Sequence, residues 1–175
     1  MKERNYFRAF RVTNDIYGEG LETIRVVEEA VRLNERDGPY DQIWCVFDRD
    51  SFPADNFDNA IHKVKSLANK GFRVAYSNES FELWYLLHFE YLHVAVPRTS
   101  YIERLHLLMG RKYKKGDSDI HILLQQKGSE ENAIRYAQRL RDLHEEGLPF
   151  SRRCPETTID ELVQVLRKVQ KSRGY

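Results

Sequence analysis

The sequence predicts a single α/β domain in which a small parallel sheet is flanked by helices. Three observations predict it. Two short apolar runs, residues 42–47 and 72–76, are rich in β-branched and aromatic residues and have the composition of buried strands. A segment with helical spacing of its apolar residues separates them, as in a right-handed βαβ unit. A chain of 175 residues can bury one substantial core but is short for two ordinary domains.

On the N-terminal side of this unit, the sequence predicts mainly helices. Apolar residues recur at helical spacing over residues 4–12 and 21–35, and residues 15–17 could form a brief strand between these two helices. Asp55 is a suitable N-cap for the helix that connects the two strands. Gly71 is a suitable end for the same helix.

Beyond the second strand the pattern is helical to the end of the chain. Residues 79–89 predict a helix dense in aromatic side chains, with Ser77 or Asn78 as its cap. Further helices are predicted over residues 101–109, 120–126, 130–146 and 158–170. We therefore divide the single domain, residues 1–175, into an α/β core (residues 1–97) and a helical extension (residues 98–175).

Composition and charge constrain the compartment and the partners. The two cysteines lie far apart, which favours a reducing compartment without a disulfide framework. No segment approaches the roughly 20 consecutive apolar residues of a membrane span, and no apolar signal core follows Met1, so we expect a cytoplasmic protein. From Arg98 onward, 16 Lys and Arg face 11 Asp and Glu, a net charge of +5. This basic part suits a polyanion, although ordinary solvated surface is the simpler explanation.

The clearest chemical signal is the pair of carboxylates Asp48 and Asp50, directly after the first predicted strand. Ligands of open α/β sheets bind at the carboxyl ends of the strands. Two carboxylates two residues apart can face the same way there, and their oxygens are the hard ligands that Mg²⁺ (or Mn²⁺) prefers. A cation so held could neutralise phosphate charge and activate a water. Two acids that merely cap the following segment would give the same pattern.

Glu82 and His88 are the polar members of the otherwise apolar helix predicted after the second strand, close to the same sheet edge. Spaced six residues apart, they do not share a helical face, so only one is expected to point toward the metal. Glu82 is the stronger candidate, as a supporting ligand or base. For His88 the alternative interpretation is a hydrogen-bonded core histidine.

The basic turn, residues 111–116, offers a candidate contact for nucleic acid. Lys114 and Lys115 could bind backbone phosphates while the ring of Tyr113 stacks on a base. The alternative is a solvated turn without a partner.

In combination, several blocks of the sequence resemble the RloB-like proteins. They are Ile43-Trp44-Cys45-Val46-Phe47-Asp48-Arg49-Asp50, Val74-Ala75-Tyr76-Ser77-Asn78, Phe81-Glu82-Leu83-Trp84 and Leu86-Leu87-His88-Phe89. Further similarity lies near the N-terminus, in the Tyr113-Lys114-Lys115-Gly116 turn and over residues 137–145. The resemblance covers nearly the whole chain.

This resemblance implies a TOPRIM-like (Rossmann-like) fold with a mostly parallel sheet. It also implies a Mg²⁺-dependent, nuclease-like activity on nucleic acid in prokaryotic phage defence, often beside an AAA- or ABC-type ATPase partner. TOPRIM-like domains carry an acidic residue after a first strand, which precedes the first helix. Here the first helix begins almost at Met1, so we expect weak or no cleavage by this chain unless Glu19 or Glu82 replaces that acid.

Two other functions are kept open. A non-catalytic interaction or effector subunit that works with the ATPase is the main alternative, because the family's first strand is missing. A haloacid-dehalogenase phosphatase ranks third, because the sequence has no matching downstream lysine and acidic-pair block. A missing strand would also leave a sheet edge exposed, which favours pairing with a second copy of the chain.

Overall fold

The computed structural model describes residues 2–10, 22–49 and 53–172. The expected strand at residues 15–17, the alternative acid Glu19 and the second carboxylate, Asp50, lie outside the described residues. In the part that is described, every helix is too short or too polar to cross a membrane.

Eight α-helices lie within the described residues. They are α1 (Lys2–Arg8), α2 (Thr23–Asp37), α3 (Ala54–Ser66), α4 (Glu82–Leu87), α5 (Arg98–Met109), α6 (Ile120–Lys127), α7 (Glu130–Arg141) and α8 (Ile159–Ser172). Two 3-10 turns, Ala68–Lys70 and Phe150–Arg152, accompany them. Apolar residues recur at helical spacing, as in α3, where Phe57, Ile61 and Val64 are fully buried. Burial of this stripe stabilises the helix against the sheet.

A small mixed sheet joins the helices. Its strands are β1 (Ile43–Asp48), β2 (Phe72–Asn78) and β3 (Glu156–Thr157), in the spatial order β1-β2-β3. β1 and β2 are parallel, with Asp48 paired with Ser77, while β3 runs antiparallel to β2. α3 connects the two parallel strands, so the predicted βαβ unit is confirmed.

Gly71 makes the turn into β2. Its φ of 84° lies in the left-handed region that glycine adopts without steric cost. A Cβ at this position would stand 3.1 Å from the carbonyl oxygen of Asp41, so the close approach of the two backbone segments also favours glycine.

Apolar side chains cover both faces of the sheet. On one side, the α3 face, Phe47 and Tyr76 belong to a cluster that includes residues of α2 and α3. On the other side, the α4 face, Ala75 belongs to a larger cluster against which Trp44 and Val46 pack. All six residues of α4 are buried in that region. Each large apolar side chain so buried contributes about 1.5–3 kcal/mol, which explains why both strands are almost continuously apolar.

The prediction of helix throughout the C-terminal part was wrong at β3. This strand has two residues, too few to produce a periodic pattern, and Thr157 bonds to a residue 80 positions earlier in the chain. α7 also ends at Arg141 instead of near residue 146, before a turn in which Gly147 has a φ of 86°. The division of the chain at residue 97 stays a prediction, and the strand contributed by the second part joins the sheet of the first.

The helix predicted over residues 79–89 is shorter than expected. Ser77 and Asn78 belong to β2, which pairing with β3 extends, and they do not cap α4. The residue at its N-cap position, Phe81, has no side-chain capping bond. The cap assigned to Asp55 was also wrong, because Pro53 precedes the first residue of α3 and Asp55 lies in the first turn. A negative charge is favourable there.

Candidate functional site at the carboxyl edge of the sheet

The carboxyl ends of β1 and β2 meet at one edge, as the parallel pairing requires. Asp48 is paired with Ser77, and the backbone N–H of Arg49 donates to the carbonyl of Ser77 over 3.1 Å. Ser77 is fully buried, and its hydroxyl lies 2.9 Å from the hydroxyl of Thr157 on β3. The edge is therefore formed by all three strands, with Ser77 at its centre.

Asp48 is the last residue of β1 and is only 8% exposed. Side chains alternate along a strand, and Trp44 and Val46 pack on the α4 face, so Asp48 is directed to the same face. A buried carboxylate must gain hydrogen bonds or a nearby cation to offset its lost hydration. The predicted position of Asp48 at this edge is confirmed, and its role as a metal ligand stays a prediction.

Glu82, the first residue of α4, is completely buried. The hydroxyl of Tyr113 donates to its Oε1 over 3.1 Å, and Nη2 of Arg98 lies 3.5 Å from the same oxygen. Arg98 is 26% exposed, so its guanidinium reaches from the buried carboxylate toward solvent. These contacts compensate the burial of the charge, and they connect Glu82 to α5 and to the basic turn.

Asn78 connects the end of β2 to residues 150–153 through hydrogen bonds. Its side-chain amide donates to the carbonyls of Phe150, Ser151 and Arg153 over 2.8–3.1 Å. The segment that contains the second 3-10 turn is thereby held against the sheet edge. Asn78 thus gives structural support from within the sheet, where the sequence had indicated a helix cap.

His88 lies at the other end of α4 from Glu82. It is 3% exposed, its Nδ1 is 2.9 Å from the carbonyl oxygen of Trp84, and burial lowers the pKa of the imidazole to about 4. It lines a small recess with Tyr6, His121 and Glu130, among other residues. This environment is that of a neutral core histidine, the alternative that the sequence left open.

The basic turn differs from its prediction at one residue. Tyr113 is 6% exposed, packs against the ring of Tyr85 and donates to Glu82, so it cannot stack on a base. The expectation of a stacking tyrosine was wrong because a neighbour distant in sequence buries the ring. Lys114 and Lys115 are exposed, as the prediction of phosphate contacts requires.

The chain that forms this edge matches a known protein family. The family model of RloB-like proteins matches residues 2–166. The chain belongs to the RloB-like family. No curated protein and no solved structure matched it.

The RloB-like chain gathers no group of three His, Cys, Asp or Glu side chains suited to a metal within residues 2–10, 22–49 and 53–172. Mg²⁺ often takes only one or two protein carboxylates and keeps several waters. Of the carboxylate pair Asp48 and Asp50, only Asp48 lies within the described residues, and a buried carboxylate oxygen at a strand end suits such a cation. A metal site with Asp48 and Asp50 as its ligands therefore stays a prediction, because only Asp48 belongs to the part of the chain that the structure describes.

Sequence reasoning missed the residues that complete the edge. Glu79, half-buried, follows β2 directly. Burial and then the charge of Glu79 raise the pKa of the Cys154 thiol, whereas Arg49 lowers it, so these three side chains lie close together. The thiol of Cys154 also contacts the carbonyl of Asn78 at 3.7 Å. Only the position of Glu79 next to a predicted strand end could have indicated it.

Proposed function

We propose that this RloB-like chain is a Mg²⁺- or Mn²⁺-dependent phosphoryl-transfer enzyme, nuclease-like, acting on nucleic acid in prokaryotic phage defence, with a TOPRIM-like sheet as its core. The observation that carries the proposal is the buried Asp48 at the carboxyl edge of two parallel strands. Ligand sites of α/β sheets lie at this edge. Membership of the RloB-like family supports the choice among reactions.

Asp48 and Asp50 would hold the cation in this proposal. The cation would neutralise phosphate charge and activate a water nucleophile. Asp48 is suited to this task because β1 fixes its backbone through pairing with β2, so the carboxylate needs little ordering on binding.

Glu82 remains part of the proposal as a carboxylate near the site. Its contacts with Tyr113 and Arg98 favour a positioning role over that of a ligand or base, because an oxygen already bonded to two donors would have to exchange them first. Ser77 and Asn78 would support the edge through their bonds to Thr157 and to the carbonyls of residues 150–153.

A non-catalytic interaction subunit that works with an AAA- or ABC-type ATPase is the second candidate. It is favoured by one observation, namely that the second buried carboxylate on the α4 face, Glu82, is engaged by protein donors. The two candidates differ in whether Asp48 is needed for metal-dependent cleavage.

The test is cleavage of labelled single-stranded DNA, duplex DNA and RNA by the full chain with Mg²⁺ or Mn²⁺. Asp48→Asn should lower the cleavage rate by about 10²-fold or more, the scale of one positioned catalytic group. Asp41→Asn is the matched control, because this exposed acid lies just before the opposite end of β1. Weak cleavage by the wild type that is lost in Asp48→Asn would still support the enzyme. Equal cleavage by wild type and Asp48→Asn, or none by the wild type on any substrate, would favour the interaction subunit.

A further inference from the structure

The basic turn is fastened to the body of the protein at several points. Tyr113 reaches inward and donates to Glu82 over 3.1 Å, and its own carbonyl lies 3.3 Å from Nε2 of His106. At the other end of the turn, the side-chain amide of Asn5 donates to the carbonyl of Gly116 over 2.7 Å. These partners come from α4, α5 and α1, so the backbone of the turn is fixed from three sides.

The charges of the turn divide into one paired and three outward-facing cations. Arg111 forms an ion pair with Asp117 at 2.6 Å. Lys112, Lys114 and Lys115 are exposed and make no ion pair with the described residues. Because Tyr113 turns inward, the lysines on either side of it are left to face solvent.

Three ammonium groups on a fixed backbone form a surface for a polyanion. We propose that the basic turn is a preorganised contact for the phosphodiester backbone of nucleic acid, with Tyr113 and Asn5 as positioning residues. Lysine binds phosphate as a point charge and reads no sequence. An already ordered loop also avoids much of the entropy cost of binding, so its anchors contribute to affinity without touching the ligand.

The choice of nucleic acid over an anionic lipid surface rests on the proposed function and on the position of the turn. Tyr113 spans the distance from the turn to Glu82, which begins α4 four residues after the end of β2. The turn is therefore anchored on the helix that follows the carboxyl edge of the sheet. The proposed function gives an anionic membrane surface no role at that edge.

The experiment measures binding separately from cleavage. Fluorescence anisotropy follows labelled DNA of about 20 nucleotides, longer than a usual single-strand site, as single strand and as duplex. All proteins carry Asp48→Asn and the buffer contains EDTA, so no metal-dependent cleavage occurs. Affinity is measured across a series of salt concentrations for each variant, and vesicles of phosphatidylserine and phosphatidylcholine serve as the second anion.

Replacement of Lys112, Lys114 and Lys115 by Gln should weaken single-strand binding by roughly 10- to 100-fold. The slope of log K against log salt should decrease in magnitude by about 2, because each lost phosphate contact contributes about 0.7. The control replaces the exposed Lys70 and Lys168 by Gln, and should change the affinity by less than about twofold. Tyr113→Phe should lower the affinity several-fold with the slope nearly unchanged, because it removes one anchor of the turn and no cation.

Several results would overturn the proposal. The lysine variant could match the control in both affinity and slope, or the parent protein with Asp48→Asn alone could bind vesicles and neither DNA. Tyr113→Phe and Asn5→Ala could both bind as that parent protein does, which would refute the claim of preorganisation. Binding that is retained while wild-type cleavage is absent would contradict the proposed function and leave this inference standing.

Discussion

The two ends of α4 carry buried ionisable groups with opposite surroundings. Glu82, at the first residue, receives a hydrogen bond from Tyr113 and faces the guanidinium of Arg98, which extends toward solvent. The imidazole of His88, directly after the last residue, has the carbonyl of Trp84 at hydrogen-bond distance from Nδ1 and forms a T-shaped contact with the Trp84 ring, with 4.9 Å between centroids. The two ends of one short helix thus place buried ionisable groups in different surroundings.

This difference shows that burial of a polar residue does not by itself indicate a functional site. The partners of Glu82 lead to α5 and to an exposed basic turn. The contacts of His88 lead back into the core, where burial holds the imidazole neutral by lowering its pKa. A buried polar group whose contacts lead toward the surface can influence function, whereas one whose contacts lie within the core stabilises the fold.

The prediction with the largest expected effect concerns His88: the free energy of unfolding should decrease at acidic pH. The pKa of His88 is lowered from 6.5 to about 4 on folding, so between these values the unfolded chain binds more protons than the folded chain. The contribution of His88 is therefore present above about pH 6.5 and is lost as the pH falls through about 4. Between about pH 7 and about pH 5 the free energy of unfolding should decrease by about 2 kcal/mol on this account. Urea denaturation at both pH values measures it.

His88→Asn is the variant that isolates this contribution, since it cannot titrate in this range. Its pH dependence should be smaller than that of the wild type by about 2 kcal/mol. The lowered pKa of His121 acts in the same direction, whereas the pKa of Glu156, raised by burial, acts in the opposite direction above about pH 4.5. An unchanged pH dependence in His88→Asn would contradict the assignment of a buried neutral histidine.

A smaller effect is expected at the other end of α4. In Glu82→Gln the amide oxygen can still accept from Tyr113, so stability should change by about 1 kcal/mol or less, and DNA affinity in EDTA by less than about twofold. In Glu82→Ala the buried hydroxyl of Tyr113 loses its acceptor, which costs about 1–3 kcal/mol and should weaken DNA binding as Tyr113→Phe does. Denaturation and anisotropy on the same samples provide both values.

The same pair of variants distinguishes positioning from catalysis. If Glu82 positions the basic turn, Glu82→Gln retains most of the metal-dependent cleavage. A loss in Glu82→Gln as large as that in Asp48→Asn would instead make Glu82 a ligand or base, and would refute the positioning role. His88→Asn serves as the internal comparison, because it should change stability and leave DNA binding unchanged.

The elements that could be predicted from the sequence are those with a strong local pattern. β1 and β2 are short, almost continuous apolar runs and α3 has a helical apolar period, and a short βαβ connection leaves only one hand and one orientation. The position of Asp48 beside Ser77 followed from this rule. The boundaries were less accurate, since β2 continues through Ser77, which pairs with both Asp48 and Thr157, and through Asn78, which pairs with Glu156.

The features that could not be predicted depend on partners far away in the chain. β3 has no period of its own, because two residues cannot show one. Tyr113 lies among lysines in the sequence, which suggests an exposed residue. Its hydroxyl instead donates a hydrogen bond to Glu82, 31 residues earlier in the chain. The spacing of Glu82 and His88 did indicate that they point to different places, and the structure adds that they lie at opposite ends of a helix of six residues.

Binding of the cation tests the central claim most directly. Calorimetric titration of Mg²⁺ and Mn²⁺ into the wild type should show binding, and the variant with Asp48→Asn and Asp50→Asn should show none, with circular dichroism confirming that its fold is retained. Asp41→Asn should bind the cation as the wild type does. Equal affinity in the wild type and the double variant, or no binding by either, would contradict a metal site at the carboxyl edge of the sheet.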